Sequence, residues 1–297
     1  MINIELTDNT IEYDGYTLYQ IKAINPYKHN KVYKDILGGY IDKTSIIADN
    51  AWIEKDAKVY NCCVLTGNTR IGEDVIVNNY STVSDSIIED KAIVTNDSHI
   101  QDNSTIECGS VVDNSTVKDN STVRGNNFIK NSIISDKSSV FFNSTVIDSK
   151  IRNHAGIFGD NTIINSIISN SEIKNSVIKN NCIVDKSIVI KTIIEDNCTV
   201  SNSRFPSRPS PYKLYNCKND KNDDPEYHIC IIKDNTTILN SVILYGNIIA
   251  DNSTIKDEKI KNEYIFNNTR VNYHTAKIKM MELKADTDSA INYQYHY

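Results

Sequence analysis

The sequence predicts an all-β fold in which short strands wind into a left-handed parallel β-helix. An aliphatic residue recurs at every sixth position through residues 47–83, and the residue four places later is usually small. A six-residue repeat would run around the whole circumference of an α-helix, whereas a short fixed period is typical of stacked solenoid coils. The aliphatic residues are Ile47, Ile53, Val59, Leu65, Ile71, Val77 and Val83, and those four places on are Ala51, Ala57, Cys63, Thr69, Val75 (the bulky exception) and Ser81.

Two further observations favour the same fold. The chain is rich in Asn, Ser, Asp, Ile and Val, a mixture of polar turn-forming residues and β-branched core residues. The tetrapeptide Asp-Asn-Ser-Thr also occurs four times, at 102–105, 113–116, 119–122 and 251–254. Asn and Asp favour sharp corners because they tolerate the left-handed backbone region.

The charge and the apolar pattern exclude several classes of function. The 297 residues carry a formal net charge of -6, whereas nucleic-acid-binding proteins present a basic stripe. No apolar run approaches the roughly 18 residues that a membrane span needs, and the first ten residues do not form a signal peptide. Seven cysteines without CxxC spacing indicate buried thiols in a reducing compartment. We therefore expect a cytoplasmic protein that binds neither nucleic acid nor membrane.

Residues 1–40 precede the repeat and are predicted to form an N-terminal β-hairpin cap. Two short strands flank Asp14-Gly15, which is a strong signal for a tight hairpin turn. A solenoid end exposes apolar surface and unpaired strand edges, so a hairpin is needed to cover it. Tyrosines cluster in this segment, and we interpret them as aromatic cover for the end of the solenoid.

Residues 41–271 are predicted to form the β-helix, interrupted by a loop insertion at 201–228. The insertion is Pro-rich and then charged, and the same hydrophobic pattern stands on both sides of it. Loops of this length are usually functional or disordered. Residues 272–297 are predicted to form a short C-terminal cap and tail. Before the insertion the six-residue period tightens to five, at Ile163, Ile168, Ile173, Ile178, Ile183, Ile188 and Ile193.

Four short segments near the N terminus carry a family resemblance. They are YQIKAI at 19–24, LGGYI at 37–41, NAWI at 50–53 and DAKVY at 56–60. They resemble the opening of YdcK-like proteins, which are bacterial and prophage-borne left-handed β-helix proteins often described as transferases. This chain differs in having fewer corner glycines and a long insertion. The resemblance implies the fold and the cap and leaves the activity open.

His154 is the best candidate for a catalytic residue. The six-residue pattern resembles that of hexapeptide acyltransferases, and this resemblance implies a histidine base in a cleft between subunits of a homotrimer, with acetyl-CoA as the donor. A general base must reach the group that it deprotonates. His154 lies mid-solenoid at a predicted corner, in the sequence Arg-Asn-His-Ala-Gly. A zinc site of the γ-class carbonic anhydrase type needs three converging histidines, which the histidine spacing excludes, so no metal is predicted.

Two other features point to binding or to corner structure. The insertion carries aromatic and basic residues that predict a partner-binding loop, namely Phe205, Arg208, Tyr212 and Tyr215. Asp102, Asp119 and Asp136 are seventeen residues apart and are predicted to stack as an acidic column. We favour turn chemistry over calcium binding for this column.

These patterns predict a non-catalytic β-solenoid binding or scaffold protein without a cofactor. It would present its outer faces and its long loop to a protein partner or to itself. The alternative is a hexapeptide-class acyltransferase that depends on acetyl-CoA. A third hypothesis, a phage- or host-interaction protein, follows only from the distribution of the family that the chain resembles.

Overall fold

The computed structural model describes residues 4–26, 32–48, 50–205, 230–243, 247–260, 264–266 and 268–271. These residues form a parallel β-solenoid of about 11 turns, with coils of about 17 residues and three parallel sheets. An antiparallel hairpin lies at the N-terminal end. The predicted all-β solenoid and its hairpin are therefore confirmed, while the predicted C-terminal cap at 272–297 lies outside the described residues.

Each coil contributes one strand to each of three sheets, which we number in chain order. Within the described residues, sheet 1 contains Ile4–Tyr13, Tyr16–Ala23, Leu37–Ile41, Lys58–Tyr60, Ile76–Asn78, Ile93–Thr95, Val111–Asp113, Phe128–Lys130, Thr145–Ile147, Thr162–Ile164, Val177–Ile178, Thr192–Ile194, Cys230–Ile232, Ile248–Ala250, Tyr264–Phe266 and Thr269–Val271. Sheet 2 contains Ile46–Ile47, Val64–Thr66, Thr82–Ser84, His99–Ile100, Thr116–Val117, Ile133–Ile134, Lys150–Arg152, Ile167–Ser169, Ile183–Asp185, Thr199–Ser201, Thr237–Leu239 and Thr254–Lys256. Sheet 3 contains Trp52–Ile53, Arg70–Ile71, Ile87–Ile88, Thr105–Glu107, Thr122–Arg124, Ser139–Phe141, Gly156–Phe158, Glu172–Lys174, Ile188–Ile190, Arg204–Phe205, Val242–Ile243 and Lys259–Ile260.

The core is a stack of equivalent aliphatic side chains, one from each strand. Successive residues of a strand point to opposite faces, so a three-residue strand places one side chain inside and two outside. Ile129, Val146 and Ile163 hold equivalent positions in consecutive coils and are fully buried. Burial of each such side chain contributes about 1.5–3 kcal/mol. The stack is continuous along the axis and extends from Ile21 to Ile265.

The sequence pattern predicts one small residue in each repeat. In many repeats this residue is a buried serine whose hydroxyl forms hydrogen bonds with the backbone. The backbone N–H of Ser132 donates to Ser115 Oγ, and that of Ser149 donates to Ser132 Oγ, each at 3.0 Å. The Ser132 hydroxyl donates in turn to the carbonyl of Lys130 at 2.6 Å. A buried N–H group without a partner costs about 1–3 kcal/mol, so serine at this position satisfies the backbone from one coil to the next.

Corner length follows the number of residues in the left-handed backbone region. Most six-residue steps between inward residues contain two such residues in a row, as in Asp119–Asn120, with φ of 58° and 60°. Five-residue steps contain one, such as Asn165 with φ of 48°. Positive φ is uncommon outside glycine and is easiest for Asn and Asp. The corners therefore explain the Asn and Asp bias of the composition.

The predicted five-residue spacing holds only from Ile163 to Ile178. The next corner contains two left-handed residues, Asn180 and Asn181, and is therefore six residues long. This shifts the register by one residue, which turns every following side chain to the other face of its strand. The prediction is wrong beyond this corner: the inward residues are Val184, Val189 and Ile194, where the period predicts Ile183, Ile188 and Ile193.

The N-terminal hairpin packs on the first coil through tyrosine side chains. The hairpin turns at Asp14 and Gly15, which have φ of 51° and 80°, as the sequence predicts. The ring of Tyr60, in the first complete coil, lies 5.8 Å from the ring of Tyr13 and 5.2 Å from that of Tyr16 between centroids. Tyr60 also donates a hydrogen bond of 3.1 Å to Asp14 Oδ2. Tyr13 and Tyr16 thus pack on the end of the solenoid, whereas Tyr33 of the same cluster is exposed.

Strand Leu37–Ile41 joins the hairpin to the solenoid and requires glycine for close contact. It pairs antiparallel with the hairpin and parallel with the next strand of sheet 1. A Cβ atom on Gly38 would lie 2.5 Å from the carbonyl oxygen of Ile53 and 2.8 Å from Trp52 Cζ2. Trp52 is fully buried beneath this contact. The glycine therefore lets the cap approach the backbone of the first coil.

The insertion begins later than the sequence predicts. Residues 201–205 still belong to the solenoid, where Arg204 pairs with Val242 of the following coil. Residues 206–229 lie outside the described residues, and the solenoid resumes at Cys230. The predicted boundary is too early because the hydrophobic pattern becomes weak a few residues before the first proline of the insertion, Pro206. The strand pairing nevertheless continues to Phe205, the residue directly before it.

At the corner that follows the insertion, one carboxylate oxygen is buried. Asp234 Oδ2 is buried and has no hydrogen-bond partner among the described residues. Burial is the largest effect and raises the pKa of Asp234. The charged groups that face it are Lys233, which lowers the pKa, and Asp196, Asp251 and Glu195, which raise it. The folded protein therefore keeps this carboxyl protonated to a higher pH than the unfolded chain does.

Asp234→Asn is expected to stabilise the protein at neutral pH and to leave its stability unchanged in acid. A raised pKa favours the folded state while the carboxyl is protonated, and this contribution is lost as the pH rises through the folded-state pKa. Asn stays neutral and tolerates the φ of 57° at this position. Thermal unfolding midpoints of the two proteins should coincide below about pH 4, the ordinary range for Asp, and separate above it.

Asp102→Asn is the matched control for this prediction, because Asp102 has the same backbone conformation at an exposed corner. Its midpoint is expected to follow that of the wild type at every pH. A gap between Asp234→Asn and the wild type that does not change with pH would contradict the prediction.

Candidate functional site

The outer face of sheet 1 carries an uncharged row that follows the solenoid axis. Equivalent outward residues pair from coil to coil, as Val111 does with Phe128. Two threonines interrupt the apolar side chains, and at those coils Ile147 and Ile164 supply apolar surface at the adjacent outward position. We call this set the apolar row: Ile76, Ile93, Val111, Phe128, Thr145, Thr162, Val177, Ile193 and Ile231.

The equivalent outward positions of the other two sheets carry a mixture of apolar, polar and charged side chains. On sheet 2 they are Thr82, His99, Thr116, Ile133, Lys150, Ile167, Ile183, Thr199 and Thr237. On sheet 3 they are Arg70, Ile87, Thr105, Thr122, Ser139, Gly156, Glu172, Ile188 and Arg204. All three sheets share one strand geometry, so β-propensity alone does not explain the difference. Of these three rows, the one on sheet 1 can be covered with the least desolvation of charge.

A groove of about 450 Å³ runs along the corner between sheets 2 and 3. It forms where corner length changes. The corner at Asn153–His154 contains two left-handed residues, whereas the next corners, at Asn170 and Lys186, contain one each. The shorter corners recede and leave His154 projecting at one end. The residues that give the groove its chemistry are His154, Gly156, Phe158, Glu172, Lys186 and Arg204.

Phe158 forms a fixed aromatic wall of this groove. Its ring folds over Gly156, where an added Cβ atom would lie 2.5 Å from Phe158 Cε2. On its other side the ring stacks on Phe141, with centroids 5.5 Å apart and an angle of 29° between the planes. Glycine at position 156 therefore makes room for the ring, and Phe141 holds it in place.

The charged side chains of the groove have no ionic partners in the described part of the chain. Glu172, Lys186 and Arg204 are all exposed, and none of them lies within 4.0 Å of an opposite charge there. Elsewhere on sheet 3 the charge of an arginine is compensated. Arg70 Nε lies 3.2 Å from Glu54 Oε1, and Arg70 Nη1 lies 2.9 Å from Glu89 Oε1. The groove thus presents two uncompensated cations and one carboxylate.

The same change in corner length forms a second groove of about 530 Å³ between sheets 1 and 2. There the corner at Asn96–Asp97 contains two left-handed residues and the next, at Asn114, contains one. Its lysine is compensated, because Lys130 Nζ lies 3.4 Å from Asp113 Oδ2. The two grooves share an origin and differ in charge.

His154, the candidate catalytic residue, lies at the end of the first groove. Its backbone N–H donates to the carbonyl of Asp136 at 2.8 Å. Its imidazole is exposed and has no hydrogen-bond or ion-pair partner among the described residues. Catalytic bases are usually oriented by a third group, which is missing for this side chain within that part of the chain. A role for His154 as a general base stays a prediction.

Phe205 lies in the core and not on the surface of a binding loop. It holds the inward position of the last sheet 3 strand before the insertion and is 1% exposed. An inward side chain does not contact a partner, so the predicted binding role of Phe205 is replaced by a packing role. The other three predicted loop residues, Arg208, Tyr212 and Tyr215, lie outside the described residues.

Asp102, Asp119 and Asp136 stack in one column at the corner between sheets 2 and 3, as their spacing predicts. The N–H of Asn120 donates to the carbonyl of Asp102 at 2.8 Å, and that of Lys137 donates to the carbonyl of Asp119 at 2.9 Å. These are backbone contacts of left-handed corner residues. The column is thus explained by turn chemistry.

A different group, Asp90, Glu107 and Cys108, has donor atoms that lie within 4.8 Å of one another. Arg124 occupies this position, with its Nε atom 3.2 Å from Glu107 Oε2. A hydrogen bond with Cys108, followed by the charge of Glu107, raises the pKa of Arg124. The guanidinium already compensates the group, so we assign no metal to it.

The inward cysteines are packing residues. Cys63 is fully buried at the small position that the sequence predicts, and burial raises the pKa of its thiol to about 12. Cys182 and Cys198 hold the same position in two adjacent coils. A protonated buried thiol is a poor nucleophile, so Cys63 is not a catalytic candidate.

Sequence reasoning found one end of the groove and missed the rest. It singled out His154 because of its type, and it passed over Lys186 because an isolated lysine carries no motif. The signal that was present is the local coil length of sixteen residues. Gly156, Glu172, Ile188 and Arg204 are spaced by that length and line up on sheet 3.

A scan against protein families finds no match to this chain, and a search of curated proteins finds no similar sequence. Among the described residues, no helix has the length and apolar character needed to cross a membrane.

Proposed function

We propose that this protein is a non-catalytic β-solenoid that acts as a scaffold by self-association through the apolar row of sheet 1. The supporting observation is the contrast between faces: nine consecutive coils show no charged side chain in this row, whereas the equivalent rows of sheets 2 and 3 contain lysine, arginine or glutamate. Contiguous apolar surface rimmed by polar residues is typical of protein interaction sites.

The dimensions of the face suit a second copy of the chain. Nine strands spaced by about 4.8 Å give a strip about 40 Å long. Each side of the solenoid spans about six residues of a coil, which gives a width of about 20 Å at a rise of about 3.3 Å per residue. This approaches the roughly 800 Å² per partner that a stable interface buries. A row without charge has no like-charge repulsion against its own copy. The sequence resemblance favours a homotrimer, and a symmetric dimer is the other closed assembly.

The double variant Val111→Lys and Val177→Lys is expected to dissociate the assembly into single chains. Both side chains lie in the apolar row, and lysine there would place like charges against each other in low-dielectric surroundings. Sedimentation velocity over a range of protein concentrations measures the mass of the species present. We expect the wild type to exceed the mass of one chain and the variant to match it.

The matched control is Thr116→Lys with Thr199→Lys, which adds the same charge to equivalent outward positions of sheet 2. We expect it to sediment like the wild type. Far-ultraviolet circular dichroism spectra of both double variants should match, since all four sites face outwards. A wild type that remains a single chain at the highest concentrations, or a control that dissociates equally, would refute self-association through sheet 1.

The acyltransferase hypothesis keeps one supporting observation, the position of His154 in a groove with Lys186 and Arg204, whose charges suit the phosphates of coenzyme A. It requires stabilisation of the protein by acetyl-CoA and loss of that effect in Lys186→Gln. The absence of an orienting partner for His154 among the described residues makes this the weaker proposal.

The family and the location also remain proposals. We propose a relationship to YdcK-like proteins on the N-terminal segments that resemble them, and the buried Gly38 contact gives one of those segments a structural role. We propose a cytoplasmic location on the cysteine pattern, and the described cysteines are free thiols.

A further inference from the structure

The groove between sheets 2 and 3 combines three kinds of surface that recognise different parts of one ligand. It has two cations and one carboxylate without ionic partners among the described residues, and one flat aromatic wall. We propose that this groove binds an acidic oligosaccharide of the uronic acid class. This site is separate from the apolar row, so it does not depend on self-association.

The cations supply the interaction with the acidic group of the ligand. Lys186 and Arg204 lie on consecutive coils, and both side chains are exposed without an ionic partner among the described residues. A guanidinium donates two parallel hydrogen bonds to a carboxylate, and an ammonium adds a point charge beside it. The free cations therefore favour a ligand that carries a carboxylate.

Glu172 excludes a simple anion and selects for hydroxyl groups. It lies one coil before Lys186, between the cations and the aromatic wall. An ionised carboxylate only accepts hydrogen bonds, so it repels a bare phosphate and needs a ligand with donors. Sugar hydroxyls are neutral donors that satisfy this requirement without competing with the cations.

Phe158 supplies a surface for the face of a sugar ring. Its ring is fixed between Phe141 and the backbone of Gly156, so it does not have to be ordered when a ligand binds. Aromatic side chains bury large apolar area with a defined geometry. The C–H face of a pyranose is the part of an acidic sugar that such a wall can cover.

The length of the groove fits two sugar units better than one. Phe158 and Arg204 are three coils apart, which corresponds to about 14 Å at a strand spacing of about 4.8 Å. The volume of about 450 Å³ is within the range of small-molecule sites. One ring on Phe158 therefore leaves the second unit beside Lys186 and Arg204.

Isothermal titration calorimetry with digalacturonate tests the proposal on the full-length chain. We expect saturable binding to the wild type, with at least tenfold weaker binding of cellobiose, which has two sugar rings and no carboxylate. Inorganic phosphate and acetate are expected to bind at least tenfold more weakly as well. Each tenfold difference corresponds to about 1.4 kcal/mol.

Three variants separate the parts of the site. Lys186→Gln and Arg204→Gln should each weaken digalacturonate binding about tenfold. Gly156→Ala should also weaken it, because the added methyl group displaces the Phe158 ring without changing any charge. Ser139→Ala, at the equivalent position one coil earlier, is the matched control and should bind like the wild type.

Several outcomes would overturn the proposal. No heat of binding with digalacturonate would do so, as would equal affinity for acetate or phosphate, which would reduce the groove to a general anion site. Unchanged affinity in both Lys186→Gln and Arg204→Gln would place the ligand elsewhere. The Val111→Lys and Val177→Lys chain should still bind digalacturonate, so failure of one proposal is distinguishable from failure of the other.

Discussion

Val184→Asp is expected to destabilise the protein by about 3–5 kcal/mol, and Ile183→Asp by less than about 1 kcal/mol. The two residues are neighbours in one strand of sheet 2, but Val184 is fully buried whereas Ile183 is 44% exposed. A carboxylate at position 184 would lose its hydration without gaining a cation, whereas one at position 183 stays in water. Urea unfolding followed by circular dichroism measures both free energies.

This pair tests the register of the solenoid, because the five-residue period read from the sequence predicts the opposite order. Ile178→Asp is a positive control, since Ile178 points inward under both interpretations and is fully buried. A larger loss at 183 than at 184 would mean that the coils after residue 178 are shifted by one residue, and similar losses at the two positions would contradict the burial of Val184 alone.

The fold could be predicted from the sequence because an inward aliphatic residue recurs in nearly every strand of the solenoid, whatever residues lie beside it. It was insufficient for the register, because a corner of five and a corner of six differ by a single residue. The distinguishing signal is local. A single Asn before an inward serine, as at Asn165, gives a five-residue step between inward residues. Two polar residues before the small residue, as at Asn180 and Asn181, give a six-residue step. Counting apolar residues alone ignores it.

The candidate surfaces were harder to predict for a different reason. A residue such as Val111 looks the same in sequence whether it faces the core or solvent, because both positions of a strand favour β-branched side chains. Only the assignment of Val112 to the core shows that Val111 faces outwards. The groove likewise follows from corner lengths on adjacent coils, since a projecting corner beside receding ones creates the concavity.

A buried ion pair lies where the chain returns to the solenoid after the insertion. Lys233 Nζ lies 3.3 Å from Glu195 Oε2 and 3.9 Å from Asp196 Oδ2, and the side chains of Lys233 and Glu195 are 10% and 14% exposed. The pair links the last complete coil before residues 206–229 to the first coil after them. Closing so long an excursion has an entropic cost that contacts at this junction must offset.

Lys233→Met is expected to destabilise the protein by about 3–5 kcal/mol, because it leaves the Glu195 carboxylate buried without its cation. The double variant Lys233→Met with Glu195→Met should recover most of that loss, since an apolar pair of similar size removes the uncompensated charge. Urea unfolding of the two single variants and the double variant gives the interaction energy from a double-mutant cycle. Additive losses in the double variant would show that the two side chains act independently, and that apolar packing alone holds the coils together across the insertion.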